Sequence, residues 1–214
     1  MHPFATGGYE MSRFYVTAAS VAIAALLGWQ VYKVQQVAAS DPYAACRSGA
    51  IAGGPIGGAF TLTDQTGKSV TDAQIFAKPA LVYFGYSSCT DVCPLDNARN
   101  VQAVELLAKS GLDVTPVFIS VDPLRDTPAV LTEYASSFSD KLVGLTGTPD
   151  QIKTAAAAFK VYYKVPDNPD KDYEVDHTTL TYLMLPKTGF AEFFTREMTP
   201  QEMADRTGCF VKAS

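Results

Sequence analysis

A chain of 214 residues that is 47% hydrophobic has material for one sizeable core and little for a second. Its formal net charge is −5, and because residues 1–40 hold Arg13 and Lys33 against Glu10, the excess acid lies in the remainder. No basic stripe marks a nucleic-acid surface, so nucleic acid is not expected as a partner.

Residues 14–32, FYVTAASVAIAALLGWQVY, contain no charged side chain. As a helix this stretch would cross a hydrocarbon layer of roughly 30 Å, with Tyr15, Trp29 and Tyr32 near its ends, where amphipathic rings favour the interface. We read 14–34 as an uncleaved single-pass anchor, 1–13 as a short cytoplasmic segment and 35–59 as a linker rich in Gly, Ala and Pro. A cleaved signal peptide is the competing reading, with Val37-Ala38-Ala39 as its processing site; the polar stretch after Trp29 argues against it. The first forty residues hold one Arg, unlike an Arg-rich mitochondrial transit peptide. The expected location is the bacterial inner membrane, with residues 60–214 folded in the periplasm.

In that domain, Phe60–Thr63 alternates apolar and polar, Gln65–Lys68 is a turn, and Ser69-Val70 returns as a partner strand. Ala80–Tyr86, an apolar run after a proline, reads as a buried strand. From Leu95 to Lys109 the apolar residues Ala98, Val101, Val104, Leu107 and Ala108 follow a helical period that stops at Gly111. Val114–Val121 is a second buried strand, in which Pro116 argues for an early or edge position. Thr127-Pro128 and Thr148-Pro149 each pair an N-cap residue with a proline at the first helical position, opening helices to about Phe138 and Phe159. Leu142–Leu145 is a brief strand between them. Leu180–Leu185 and Phe190–Thr195 form a hairpin across PKTG, and Thr199-Pro200 starts a last helix. Strands alternating with helices, closed by a hairpin and a helix, predict an α/β fold with a central sheet of mixed direction.

The chemistry sits in Tyr83–Pro94, YFGYSSCTDVCP. Strand, turn, cysteine pair and helix place Cys93 at or near an N-cap, with Pro94 in the first turn. Unsatisfied N–H groups there favour a thiolate, so both sulfurs are expected to deprotonate more readily than a free cysteine, with Asp91 pulling the other way. A permanent bridge between Cys89 and Cys93 would close a tiny loop and stabilise little. Redox exchange and soft-metal binding, of Cu(I), Zn(II) or Fe–S type, therefore stay open. A third ligand would have to be His177, the domain's one imidazole. It can reach the thiols if the strand after it neighbours Ala80–Tyr86; otherwise it is a solvated side chain.

YFGYSSCTDVCP, VFISVDPLRDTP (Val117–Pro128), GLTGTPDQI (Gly144–Ile152), FKVYYKVP (Phe159–Pro166) and YEVDHTTLTYLMLP (Tyr173–Pro186) together resemble the Sco/SenC family. Its members are copper-binding assembly factors of cytochrome c oxidase built on a thioredoxin-like fold. The resemblance implies a thioredoxin-like domain after a transmembrane helix, with Cys89, Cys93 and His177 as copper ligands. Cu(I) accepts three such donors, whereas Cu(II) would want a fourth from water or a nearby carboxylate. Oxidation would turn Cys89 and Cys93 into a disulfide and exclude the metal. Many members have Pro after the first cysteine; this chain has Thr90, a change in loop stiffness and not in ligand identity. Asp176 could tune His177 from behind or be a surface acid. Asp122, Arg125 and Asp126 are read as pinning their loop or capping the helix at Thr127.

Cys46 and Cys209 lie near the two ends of the domain, and domain termini are often close. A structural disulfide in an oxidising periplasm and two unpaired thiols are the two readings. The implied activity is that of a copper chaperone delivering to the dinuclear copper centre of cytochrome c oxidase subunit II, supplied by other periplasmic copper chaperones. The alternative is a thiol–disulfide oxidoreductase that reduces the cysteines of that centre. Ordinary thioredoxins have Cys-x2-Cys and a cis-proline before a later strand; the longer spacing here, and Thr178-Thr179 after His177, favour the metal.

Overall fold

The computed structural model describes residues 15, 20, 23–33, 41–47, 55–167 and 172–214. Residues 1–13, expected to be a cytoplasmic segment, lie outside the described residues, as do parts of the expected anchor 14–34 and linker 35–59. The chain divides into two units, 1–45 and 46–214. In the first, residues 23–33 are helical, with Lys33 Nζ 5.5 Å from the centre of the Trp29 ring. Among the described residues no helix is long and apolar enough to cross a membrane.

The second unit is built on a seven-stranded sheet. Its strands are β1 (Thr61–Asp64), β2 (Ser69–Thr71), β3 (Ala80–Gly85), β4 (Thr115–Ser120), β5 (Val143–Thr146), β8 (Thr181–Leu185) and β9 (Gly189–Phe194), in the order β2-β1-β5-β4-β3-β8-β9. Two short strands, β6 (Tyr163–Lys164) and β7 (Asp176–His177), pair apart from it. The helices are α1 (Asp72–Ile75), α2 (Val92–Lys109), α3 (Pro128–Ser136), α4 (Pro149–Ala158) and α5 (Pro200–Lys212). β3, β4 and β5 run parallel, while β8 runs antiparallel to β3 and β1 to β5. The mixed sheet expected from the element pattern is present, with helices flanking it.

β3 is the spine: all six residues are buried, which is why it reads as an unbroken apolar run. Its side chains alternate between the faces. Tyr83 reaches toward α2, donating to Asp96 at 3.1 Å, while Phe84 packs against Phe159 and Tyr182 on the other side. Thr127, Thr148 and Thr199 each cap a helix whose first residue is proline, and in each case the hydroxyl accepts a backbone N–H from the first turn. The caps are where the Thr-Pro pairs put them.

Of the two positions that Pro116 allowed, early in the strand or at an edge, the structure takes the early one, and one other local expectation changes. β4 is an interior strand despite Pro116, which sits at its second residue. The Thr115 N–H donates to Pro79 O on the β3 side, so the Pro116 nitrogen faces β5, whose pairing with β4 starts at Val117. No ladder bond is lost there. The helix after the cysteines begins at Val92, three residues earlier than its apolar period suggests. Asp91 is the N-cap, so Cys93 and Pro94 lie inside the first turn.

Candidate metal centre

Three loops converge where β3 and β4 end. The first, Tyr86–Asp91, leaves β3 and enters α2. The second, residues 121–127, leaves β4 and enters α3. The third leads through β7 into β8, and because β8 is antiparallel to β3, with Thr181 opposite Tyr83, residues 177–180 pass the end of β3 that the thiols occupy. The antiparallel neighbour of β3 is thus what brings His177 home. β7 itself is held by β6, with Tyr163 opposite His177, and the Thr178 N–H donates to Tyr162 O at 2.9 Å.

Cys93 Sγ and His177 Nε2 stand 3.3 Å apart across 84 residues of chain. His177 Nδ1 lies 3.0 Å from Thr178 O. A carbonyl oxygen accepts, so we assign the ring proton to Nδ1, which leaves Nε2 as the acceptor facing sulfur. Burial lowers the imidazole's pKa from 6.5, against the upward pull of the Thr178 carbonyl, Asp96 and Asp176. The ring is accordingly neutral. Tyr83 and Tyr86 pack edge-on against it at 6.1 and 5.8 Å.

The two thiols differ. Cys89 is half-buried and Cys93 fully buried, both unpaired. Burial raises the Cys89 pKa, but its sulfur accepts from the Cys93 N–H at 3.4 Å, and bonds from the Cys93 thiol and the Asp91 and Val92 N–H groups carry the balance below 9.0. These are the orphan donors of a helix start. Cys93 goes the other way: burial, and then the neighbouring Cys89, push it up. The expectation that both sulfurs deprotonate readily thus fails for Cys93, because enclosure outweighs the helix terminus for a group with no water around it. Tyr86 is itself raised to about 12, first by burial, with Cys89 beside it. Space for the Cys93 sulfur is made by Gly85, where an added Cβ would lie 2.9 Å from it.

Behind these groups lies machinery that the sequence analysis did not single out. Asp96, on α2, accepts from Tyr83 and pairs with Arg99 at 3.4 Å and Arg196 at 3.3 Å. Asn97, one residue on, donates to Cys93 O and to the Tyr134 hydroxyl. The apolar period of α2 concealed this face. The available signal was polar residues at 96, 97 and 100, spaced three, four and seven from Cys93, which share its side of a helix.

The 121–127 loop does what was expected of it, in detail. Asp126 is fully buried; it accepts from Ser87 N–H and Oγ and from Ser120 Oγ, fixing the loop that carries Cys89. Burial raises its pKa against those hydrogen bonds. Asp122, also fully buried, accepts from Arg125 and from the Tyr173 hydroxyl. Arg125 donates to Tyr173 O, stacks 3.6 Å over the Tyr173 ring and lies 5.5 Å from the centre of Tyr86. One arginine therefore ties the cysteine loop to the segment leading to His177.

Asp176 is exposed and lies opposite Lys164 in the β6–β7 ladder. The hydrogen bond that orients the imidazole comes from Thr178, and the Asp176 charge acts on the ring through space. Cys46 and Cys209 are disulfide-bonded, with Cα atoms 5.6 Å apart. Among the described residues no three His, Cys, Asp or Glu side chains stand arranged to hold a metal ion. Cys93 and His177 face one another, while the Cys89 sulfur is turned onto the helix N–H groups.

Fold and site first define a class: a thioredoxin-like α/β domain with a Cys-x3-Cys pair at the head of a helix and a histidine offered to it from another loop. Within that class the chain belongs to the SCO1/SenC family, whose model matches residues 49–212. It is 50% identical over 203 residues to Protein SenC of Rhodobacter capsulatus, covering 94% of this chain and 92% of that protein. Among solved structures it resembles Arabidopsis thaliana ScoI with copper bound, at 40% identity and a TM-score of 0.68, over 74% of this chain and 97% of that one. It also resembles BsSco, a member of the Sco family of cytochrome c oxidase assembly proteins in which a disulfide switch has been identified. There the identity is 25% and the TM-score 0.58, over 72% of this chain and 93% of that one.

Proposed function

We propose that this chain is a membrane-tethered copper chaperone that carries copper on Cys89, Cys93 and His177 to the dinuclear copper centre of cytochrome c oxidase subunit II. The observation that carries the reading is the 3.3 Å approach of Cys93 Sγ to His177 Nε2. Two thiols and an unprotonated imidazole nitrogen make a soft donor set suited to Cu(I), and copper is bound in Arabidopsis ScoI. The oxidase as receiver follows the description of BsSco as one of the cytochrome c oxidase assembly proteins.

Copper is the cargo. Cys89 joins the other two donors by turning its sulfur off the Cys93 N–H, which gives up a hydrogen bond worth about 1 kcal/mol. Loading displaces the thiol protons. The neutral imidazole needs no deprotonation. Residues 14–34 supply the anchor and the periplasm the compartment, a reading supported by the Cys46–Cys209 bridge, since such bonds persist in oxidising surroundings. Other periplasmic copper chaperones would load the site.

The test is titration of the reduced chain with Cu(I) and Cu(II) beside Cys89→Ser, Cys93→Ser and His177→Ala. One copper per chain in the parent, lost from each variant, is expected. Undiminished binding by His177→Ala would overturn the assignment.

A second reading draws on the asymmetry of the thiols. Cys89, more accessible and lowered in pKa, suits attack on a partner's disulfide; Cys93 would then displace it, leaving a reduced partner and a Cys89–Cys93 bridge. Vigorous reduction of a test disulfide by His177→Ala, with copper binding intact, would favour this oxidoreductase role.

A further inference from the structure

Within residues 46–214, the large apolar side chains left exposed among the described residues are Leu95 at 63%, Leu124 at 67%, Val130 at 38% and Tyr162 at 60%. Their placement is not scattered. Leu95 lies two residues beyond Cys93 in the first turn of α2. Leu124 stands in the loop whose Asp126 holds Ser87, and Val130 is in the first turn of α3, directly after that loop. Tyr162 is bonded through its backbone to Thr178, beside His177. β3 and β4 are parallel and β8 is antiparallel to β3, so all four residues lie at the one rim of the sheet where the thiols and imidazole emerge. Isolated exposed leucines need no explanation, but confinement of all of them to one end marks a contact surface.

Exposed acids outnumber exposed bases around them. Asp91 between the cysteines and Asp167, Asp172, Glu174 and Asp176 on the segment carrying His177 are exposed, against exposed Lys160 and Lys164. Arg125, in the loop after β4, is spent on buried Asp122, and exposed Arg196, just after β9, pairs with buried Asp96.

We propose that this rim is the docking face for the copper-accepting domain of the oxidase, met through an apolar patch on that domain framed by Lys and Arg. The inference rests on the chaperone reading above and extends it to the partner's surface. A metal passed between proteins moves only when the receiving ligands come within bonding distance of the donating ones, so the rim must be covered during transfer. Leucine and tyrosine contacts at its centre exclude water, and the acidic border orients the approach and raises the encounter rate.

The test follows transfer from the copper-loaded full chain, in detergent, to the copper-free copper-binding domain of oxidase subunit II, comparing the parent with Leu95→Asn/Leu124→Asn. Both residues are exposed, so copper stoichiometry, the spectrum of the loaded site and the melting temperature should match the parent. The second-order transfer rate constant should fall about tenfold or more, and in the parent it should fall as salt rises. Equal transfer rates in parent and variant, with loading intact, would overturn the docking face and leave the copper reading standing. Failure of the parent to bind copper would overturn both. Association of the parent with itself, or with phosphatidylcholine vesicles, that is lost in the variant would assign the patch to another occupant and overturn it too.

Discussion

Cys89 and Cys93 are four residues apart and chemically unlike. The difference arises from where each sulfur lies: Cys89 stands outside the helix start and collects its free N–H groups, while Cys93, one turn on, is sealed between Tyr83, Gly85 and His177. Hydrogen bonds to the charged form lower the first, and enclosure raises the second. Because the Cys89 thiolate forms at lower pH than an ordinary thiol, iodoacetamide should alkylate it first, with a pH midpoint below 9.0 and Cys93 lagging. Mass mapping of the labelled peptides measures this, and faster labelling of Cys93 would contradict it. The cysteine pair was plain in the sequence, yet its asymmetry was not, because burial of one sulfur depends on strands and loops that come later in the chain.

At the scale of elements, the loop after β4 acts as a yoke. Asp126 secures the cysteine loop through Ser87, and Arg125 reaches the histidine segment through Tyr173. Replacing Arg125 with Met leaves the Asp122 carboxylate fully buried with the Tyr173 hydroxyl in place of a full counter-charge. That should cost about 3 kcal/mol in urea unfolding. Arg125→Lys restores the charge without the planar stack and fork, so an intermediate loss is expected. Unchanged stability in Arg125→Met would show that the ion pair bears no weight. The sequence placed these residues in a pinning loop because Asp, Arg and Thr-Pro at such spacing suit caps and turns. It did not disclose β6 and β7, whose two-residue strands leave no periodic trace.

For the whole domain, the Cys46–Cys209 bridge joins its beginning to its final helix across 163 residues. Closing so long a loop restricts the unfolded chain strongly, by about 2–5 kcal/mol on the chain-entropy account. Replacing both cysteines with serine should lower stability by that amount and leave copper stoichiometry unchanged, since the bridge lies outside the thiol–imidazole group. Calorimetry beside a copper titration reads the two effects separately. Loss of copper together with stability would mean that the bridge shapes the site.

The sequence by itself determined the elements and the chemistry offered. Apolar runs specified β3 and β4, threonine–proline pairs specified where α3, α4 and α5 begin, and two cysteines before a helix specified a soft or redox-active pair, since each depends on residues adjacent in the chain. Only the tertiary structure decided which of these meet. That His177 faces Cys93 follows from β8 lying antiparallel beside β3, that Asp96 sits beneath Tyr83 from α2 packing on β3, and that exposed leucines share one rim from β3 and β4 running parallel. Strand order is settled by packing between segments far apart, which no local period encodes.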